Sequence, residues 1–176
     1  MKVRKILKWI AVAIPIVLLG LIAFAYFSSS NACDVPAAAA PANPIRAIVY
    51  CEYGLADVLK LETIEKPKPE DDQILVKVHA AAANPLDWHY MRGTPYLMRM
   101  MTGLRKPKEI RFGVDYAGTV EAVGAKVTEF KPGDEVFGGR TGAFAEYVVA
   151  RAAGSVVPKP SSITFEQAAA LPIAAV

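Results

Sequence analysis

Apolar and polar positions change pattern twice along the chain. "WIAVAIPIVLLGLIAFAYF", Trp9 to Phe27, is an uncharged run of nineteen residues. As a helix it is roughly 28 Å long, close to the hydrocarbon thickness of a bilayer. Pro15 and Gly20 are tolerated in such a helix. Residues 34–44, "DVPAAAAPANP", are too poor in large apolar side chains to join a core. They read as a spacer that holds the following domain off the membrane.

From Ile45 the alternation becomes that of a β domain. "IRAIVYCEY", "VLKLETIEKP" and "ILVKVHAAAA" predict three strands, with "KPKPEDDQ" a solvated turn. "NPLDWHYMRG" predicts a short helix, with Asn84 as cap, Pro85 in the first position and Gly93 at the exit. "TPYLMRMMTGLRKPKEI" is irregular, basic and rich in methionine. "VDYAGTVEAVGAKV" predicts a long strand. "FKPGDEVFG" predicts a turn into a strand, and "AFAEYVVA" another strand. "SSITFEQAAALPIAAV" predicts a helix capped by Ser162, with Glu166 near its first turn. Short strands broken by Gly/Pro turns point to a compact barrel.

Three glycines, Gly113, Gly118 and Gly124, interrupt "FGVDYAGTVEAVG" and need backbone reasons. Close strand approach or a bend is expected at Gly113 and Gly118, and positive φ at Gly124.

Charge sharpens the first segment and excludes one partner. Lys2, Arg4, Lys5 and Lys8 precede the apolar run, and no charge follows until Asp34. That asymmetry predicts a single-pass anchor with its N-terminus in the cytoplasm. A signal peptide cut after Ala32, or a lipidated Cys33, are the competing readings. From Ile45 onward 16 Lys+Arg balance 16 Asp+Glu, which argues against a nucleic-acid surface. The two cysteines, Cys33 and Cys51, exclude a disulfide scaffold by number, and a bridge between them is not expected.

"NPLDWHYMRG", "GVDYAGTVEAVG", "FKPGDEVFG", "GAFAEYVV" and "ITFEQAAALPIAA" occur in an order and spacing that resemble the N-terminal part of the medium-chain dehydrogenase/reductase superfamily. The resemblance covers about residues 45 to 176. It implies a mainly β fold: a GroES-like, partly open β-barrel with short helices, here preceded by one N-terminal transmembrane helix. Zinc-dependent alcohol dehydrogenases have Gly-His-Glu where this chain has Gly113-Val114-Asp115, and valine cannot ligate a metal. From Ile45 the chain offers only Cys51, His79 and His89, too few for a zinc site. The resemblance is therefore to the zinc-free branch of quinone oxidoreductases and enone reductases, with NADPH as cofactor and no metal.

Without a Lewis acid, such an enzyme must orient its acceptor and stabilise the developing oxyanion by hydrogen bonding. Asn84 matches the family's "NP" asparagine, placed near the nicotinamide; a plain helix cap is the bland alternative. Asp87 matches its acid three residues on. His89 falls where related reductases often carry lysine or tyrosine, and is a candidate proton donor to substrate oxygen. The expected catalytic residues are thus His89 and Asn84, and the cofactor-binding residues Asn84 and Asp87. Tyr90 and Trp88 read as packing residues, His79 as a surface or barrel residue, and Asp115 as structural. The methionine-rich stretch reads as a lipophilic substrate entrance, a lipid-headgroup contact, or an ordinary solvated loop.

The expected organisation is an anchor or signal segment at 1–33, a linker at 34–44, a substrate domain at 45–160, and at 161–176 the start of a helix toward a cofactor domain. No Gly-rich dinucleotide fingerprint occurs, so the chain reads as the N-terminal part of a longer protein. The expected function is NAD(P)H-dependent, zinc-independent reduction of a small lipophilic quinone or enone, with a homodimer as the full-length form. A non-enzymatic, membrane-anchored GroES-like binding domain or an inactive fragment is the alternative.

Overall fold

The computed structural model describes residues 2–28, 30–34 and 40–175. Most of the Pro/Ala spacer, 35–39, and the terminal Val176 lie outside the described residues. The first helix, α1 (Lys2–Phe27), contains the Trp9–Phe27 run, with mean hydropathy 2.6 and none of it buried against the domain. It is the one described helix long and apolar enough to cross a membrane.

Two sheets follow. Strands β1 (Pro44–Val49) and β2 (Lys60–Glu65) pair antiparallel. Strand β3 (Gln73–Ala82) leads into α2 (Pro85–Arg92) and a short α3 (Arg99–Thr102). Then come β4 (Asp115–Val123), β5 (Glu135–Gly139), β6 (Tyr147–Arg151), β7 (Val156–Pro158) and α4 (Phe165–Ala169). The larger sheet is antiparallel and runs β6-β3-β4-β5-β7. Single bridges, Ala47 to Ala145 and Val49 to Arg111, fasten β1 across its open side. The result is a curled half-barrel.

Period-two alternation explains which face closes. Ile74 and Val76 of β3, Tyr116 and Val120 of β4, Val136 of β5, and Val148 and Ala150 of β6 meet in one core. Each such aliphatic side chain, fully buried, contributes roughly 1.5–3 kcal/mol. Gly118 faces Val78 of β3, where the register slips between Val78 and Ala80. A Cβ there would strike the carbonyl of Lys77, so only glycine lets the two backbones close at this bulge. Gly113 is the position with positive φ, at 90°, and a side chain would also meet Phe144. Gly124 corrects the expectation made for it. Its φ is not positive, and it is small because the Glu70 and Asp71 carbonyls press against it.

The last helix is shorter than the pattern predicts. Thr164, not Ser162, caps it: its hydroxyl accepts from Gln167 N, while Gln167 Oε1 accepts from Thr164 N. The helix proper stops at Ala169, before Pro172, which cannot supply an interior hydrogen bond. Ala168 and Ala169 pack on Ala80, Ala82 and Ala117. Small residues on both sides let the helix sit close against the sheet. Lys159, its side chain only 5% exposed, bonds Glu135 and the Ile163 carbonyl, and so fixes the approach to α4.

One contact overturns the expectation of unbridged cysteines. Cys33 and Cys51 form a disulfide, with Cα atoms 5.8 Å apart. Asn31 prepares it: its side-chain amide donates to the Cys51 carbonyl at 2.8 Å and its Oδ1 accepts from Cys33 N at 3.1 Å. Counting residues gave no hint of this, because the pairing depends on the chain after α1 folding back on the end of β1. Replacing both cysteines with serine should cost about 2–4 kcal/mol, the usual worth of a link closing a loop of this length. Urea unfolding of the oxidised chain against the double variant measures it, and equal midpoints would remove the disulfide from the fold's stability.

Candidate functional site

The site grows from the junction between β3, α2 and β4. Asn84 sits in extended conformation ahead of α2, where its Oδ1 accepts from Leu86 N at 2.7 Å. Asp87 returns the favour, accepting from Asn84 N at 2.8 Å, which completes a capping box. Pro85 fills the first turn and Gly93 ends the helix in the left-handed region, as the pattern predicts.

Asn84 is more than a cap. Its Nδ2 donates to Asp115 Oδ2 at 3.0 Å. The same carboxylate oxygen accepts from Ile173 N at 3.3 Å. Asp115, 1% exposed, therefore joins the start of β4 to the cap of α2 and to the chain beyond α4. It is a structural link, as expected, but across 31 and 58 residues rather than to nearby backbone.

Two buried carboxyls now share one small space. Burial pushes the Asp87 carboxyl up to about 6; the neighbouring Asp115 charge adds to this, and the Asn84 and Val114 backbone amides oppose it. Burial also raises Asp115, against the donors Ile173 N and Asn84. Among the described residues Asp87 Oδ1 and Asp115 Oδ1 have no hydrogen-bond partner. A protonated Asp87 carboxyl relieves the like-charge contact.

Beside this cluster lies a cavity of about 550 Å³, well within the size range of small-molecule sites. Leu86, Tyr90, Val114, Phe137, Leu171 and Ile173 make most of its wall, and Arg140 and Thr141 are polar residues on it. Leu86 and Tyr90 are four residues apart on α2 and so share the face turned to the cavity. Tyr90, read from sequence as packing, thus carries a phenol to the wall. The i,i+4 spacing with Leu86 was the available signal.

Neither Asn84 nor Asp87 is among the residues that line this wall, and His89 is not brought to it either. Its ring lies edge-on to Trp88, and Nδ1 is 2.7 Å from the Thr94 carbonyl. A carbonyl only accepts, so Nδ1 carries the hydrogen, and in the neutral ring Nε2 is an acceptor rather than a donor. His79 lies on the exposed face of β3, stacked on Phe165 at 4.5 Å and 3.1 Å from the Thr119 hydroxyl. Trp88 is 46% exposed, with the Arg92 guanidinium over its ring. None of the residues from Tyr96 to Lys108, the methionine-rich stretch, lines the cavity. Among the described residues no three His, Cys, Asp or Glu side chains gather into a possible metal cage.

Residues 70–161 match the family described as the alcohol dehydrogenase GroES-like domain. A quinone oxidoreductase of Lama guanicoe is 40% identical over 131 residues, covering 72% of this chain and 37% of that protein. The chloroplastic NADPH-dependent alkenal/one oxidoreductase of Arabidopsis thaliana is 37% identical over 158 residues, covering 84% of the chain and 39% of the relative. The solved quinone oxidoreductase of Coxiella burnetii superposes with a TM-score of 0.65 at 31% identity, covering 75% of this chain and 42% of that one. The chain spans about two fifths of the length of the curated relatives it matches.

The paired carboxyls give the fold a pH signature. Asp87 titrates near 3.8 when unfolded and at about 6 in the fold. Between those values the folded state holds more proton, so stability falls as pH rises from about 4 to about 6.5. Urea midpoints across that range should decline, and Asp87→Asn should flatten the decline while keeping an oxygen for the cap. A slope unchanged in the variant would assign it to other groups.

Proposed function

The chain belongs to the alcohol dehydrogenase GroES-like domain family, and we propose that it is the substrate-side part of a zinc-independent, NADPH-dependent oxidoreductase of quinones or activated alkenes. The observation that carries this is the apolar cavity beside the Asn84–Asp115 pair. A flat lipophilic acceptor suits walls of Leu86, Val114, Phe137 and Ile173. The relatives described as quinone and alkenal/one oxidoreductases support the same substrate class.

The residues present fit a nicotinamide end in one respect that geometry tests. Asn84 Nδ2 has two hydrogens, and Asp115 takes one. The other suits a carbonyl oxygen. Asn84 would hold the cofactor edge, with Asp87 keeping its cap in place. When bound, the dinucleotide supplies the hydride. This chain's own part is to bind the acceptor against an apolar wall, exclude water, and present the Asn84 amide to developing negative charge. His89 serves as donor only as an imidazolium, with Nε2 protonated while Nδ1 stays on Thr94. That ranks it behind Asn84.

The Trp9–Phe27 helix reads as a single-pass anchor. Its lack of contact with the domain is unlike a core helix. The docking of Asn31, 8% exposed, on Cys51 favours an uncut chain over cleavage after Ala32. A disulfide-bonded Cys33 also leaves no thiol for a lipid. The disulfide and the cationic N-terminal flank together support a domain on the non-cytoplasmic side. The segment boundaries at 1–33, 34–44, 45–160 and 161–176 belong to this reading, as does a homodimer of the full-length form.

The test is NADPH oxidation by the full-length protein carrying this chain, with a short-chain naphthoquinone and an α,β-unsaturated ketone. Asn84→Ser keeps a capping oxygen but loses the amide donor, and should lower kcat/KM at least about tenfold. His89→Ala is the companion variant. If neither slows turnover of any accepted substrate, the site assignment is wrong. Acceptor binding without NADPH oxidation would leave the binding-domain alternative.

A further inference from the structure

The segment between α2 and β4 has a use that the cavity does not supply. Tyr96, Leu97, Met100 and Met101 are 74%, 73%, 68% and 84% exposed, four large apolar side chains within six residues. Solvent-exposed apolar residues gathered this densely mark a contact surface. From Arg92 to Arg111 the chain carries six cations and one acid, Glu109, in a domain whose 16 cations and 16 acids cancel only when this segment is included. Part of this is internal: Arg111 pairs with Glu109, and Arg99 lies over the rings of Tyr53 and Tyr96 while donating to the Gly93 carbonyl. Arg92, which lies over the Trp88 ring, and Arg105 and Lys108 are exposed beside the apolar side chains.

The structure also says where this surface is held. The Tyr53 hydroxyl donates to the Gly103 carbonyl at 2.8 Å and lies 2.9 Å from the Thr102 hydroxyl. Tyr53 thus pins the apolar segment beside Cys51, two residues away. Cys51 is the residue to which Cys33 and Asn31 are fastened. From the end of α1 at Phe27 to Asn31 is four residues, a reach of at most about 14 Å. The exit of the apolar helix and the exposed apolar segment are therefore tied to one short stretch of the domain.

We propose that residues 96–108 are a second membrane contact. Tyr96, Leu97, Met100 and Met101 enter the interface of the bilayer that α1 crosses, and Arg92, Arg105 and Lys108 meet anionic phospholipid headgroups. This rests on the reading of α1 as an anchor. The Cys33–Cys51 link then draws the domain toward the membrane.

The full chain, with Trp9→Phe and Trp88→Phe, is reconstituted into phosphatidylcholine vesicles with or without about one third phosphatidylserine, using brominated acyl chains as quenchers. Met101→Trp reports on the segment. Lys126→Trp is the control, in the turn that follows the end of β4 at Val123, outside the 96–108 segment. Both positions are exposed, and thermal melts verify that each variant folds. With phosphatidylserine the tryptophan at 101 should be quenched at least about twofold more than the one at 126. Arg105→Gln with Lys108→Gln, or omission of phosphatidylserine, should reduce that difference. Equal quenching at the two positions, in a chain that resists carbonate extraction, overturns the contact and leaves the anchor standing. Extraction by carbonate overturns the anchor, and the contact with it. Burial of position 101 in lipid-free chains that sediment as dimers assigns the face to a second copy and also overturns the proposal.

Discussion

A single buried carboxylate holds the functional end of this domain together. Asp115 begins β4, receives the amide of Asn84 from the cap of α2, and receives Ile173 N from beyond α4. Three segments far apart in sequence converge on it, and two of them wall the cavity. Ionised, it has fewer donors than oxygen lone pairs, since Oδ1 is unmatched. The arrangement persists because the surrounding barrel fixes each segment independently. Val120 and Tyr116 hold β4 in the core, Leu86 N holds Asn84, and the alanine contacts of α4 hold the approach to Ile173. Asp115 therefore sets the geometry of the site rather than its stability.

The same logic explains why Asn84 can serve two purposes without conflict. Its oxygen is spent on the helix and its nitrogen faces the carboxylate, so rotation of the amide would cost both bonds. A side chain locked in this way meets an incoming oxygen with little entropy left to lose. His89 is also locked, by the bond between its Nδ1 and the Thr94 carbonyl. Residue type made both candidates; only the backbone around them ranks one above the other.

Much of this was legible in sequence, and the losses have physical causes. Strand positions followed from alternation, and the helix at Pro85–Arg92 followed from Asn84, Pro85 and Gly93, whose effects are local. The short strand Val156–Pro158 was not seen, because three residues carry no period and its pairing with β5 is set by tertiary contact. The cap at Thr164 was missed by two residues since Ser162 offers the same chemistry. The Asn84–Asp115 bond, the disulfide and the turn of Tyr90 toward the cavity are long-range or facial properties. Pattern along the chain names the residues but not their partners. Gly124 shows the difference sharply: its smallness was predicted, and the reason given was a torsion when the reason is a pair of carbonyls.

The disulfide and the dinucleotide make opposite demands on compartment, and the way each is supported ranks them. Bridged cysteines favour an oxidising environment, and under the proposed anchor the cationic flank before α1 would place the domain on that same side. The dinucleotide rests on relatives that are more than twice as long as the part of them this chain matches. The two local observations therefore constrain the domain's surroundings more directly. They also suit the proposed ligand. A lipophilic acceptor would partition into the bilayer, where a domain tethered through Cys33–Cys51 would meet it. On this view the anchor and the apolar cavity are parts of one arrangement, in which the fold supplies a dry wall and the tether supplies the substrate's address.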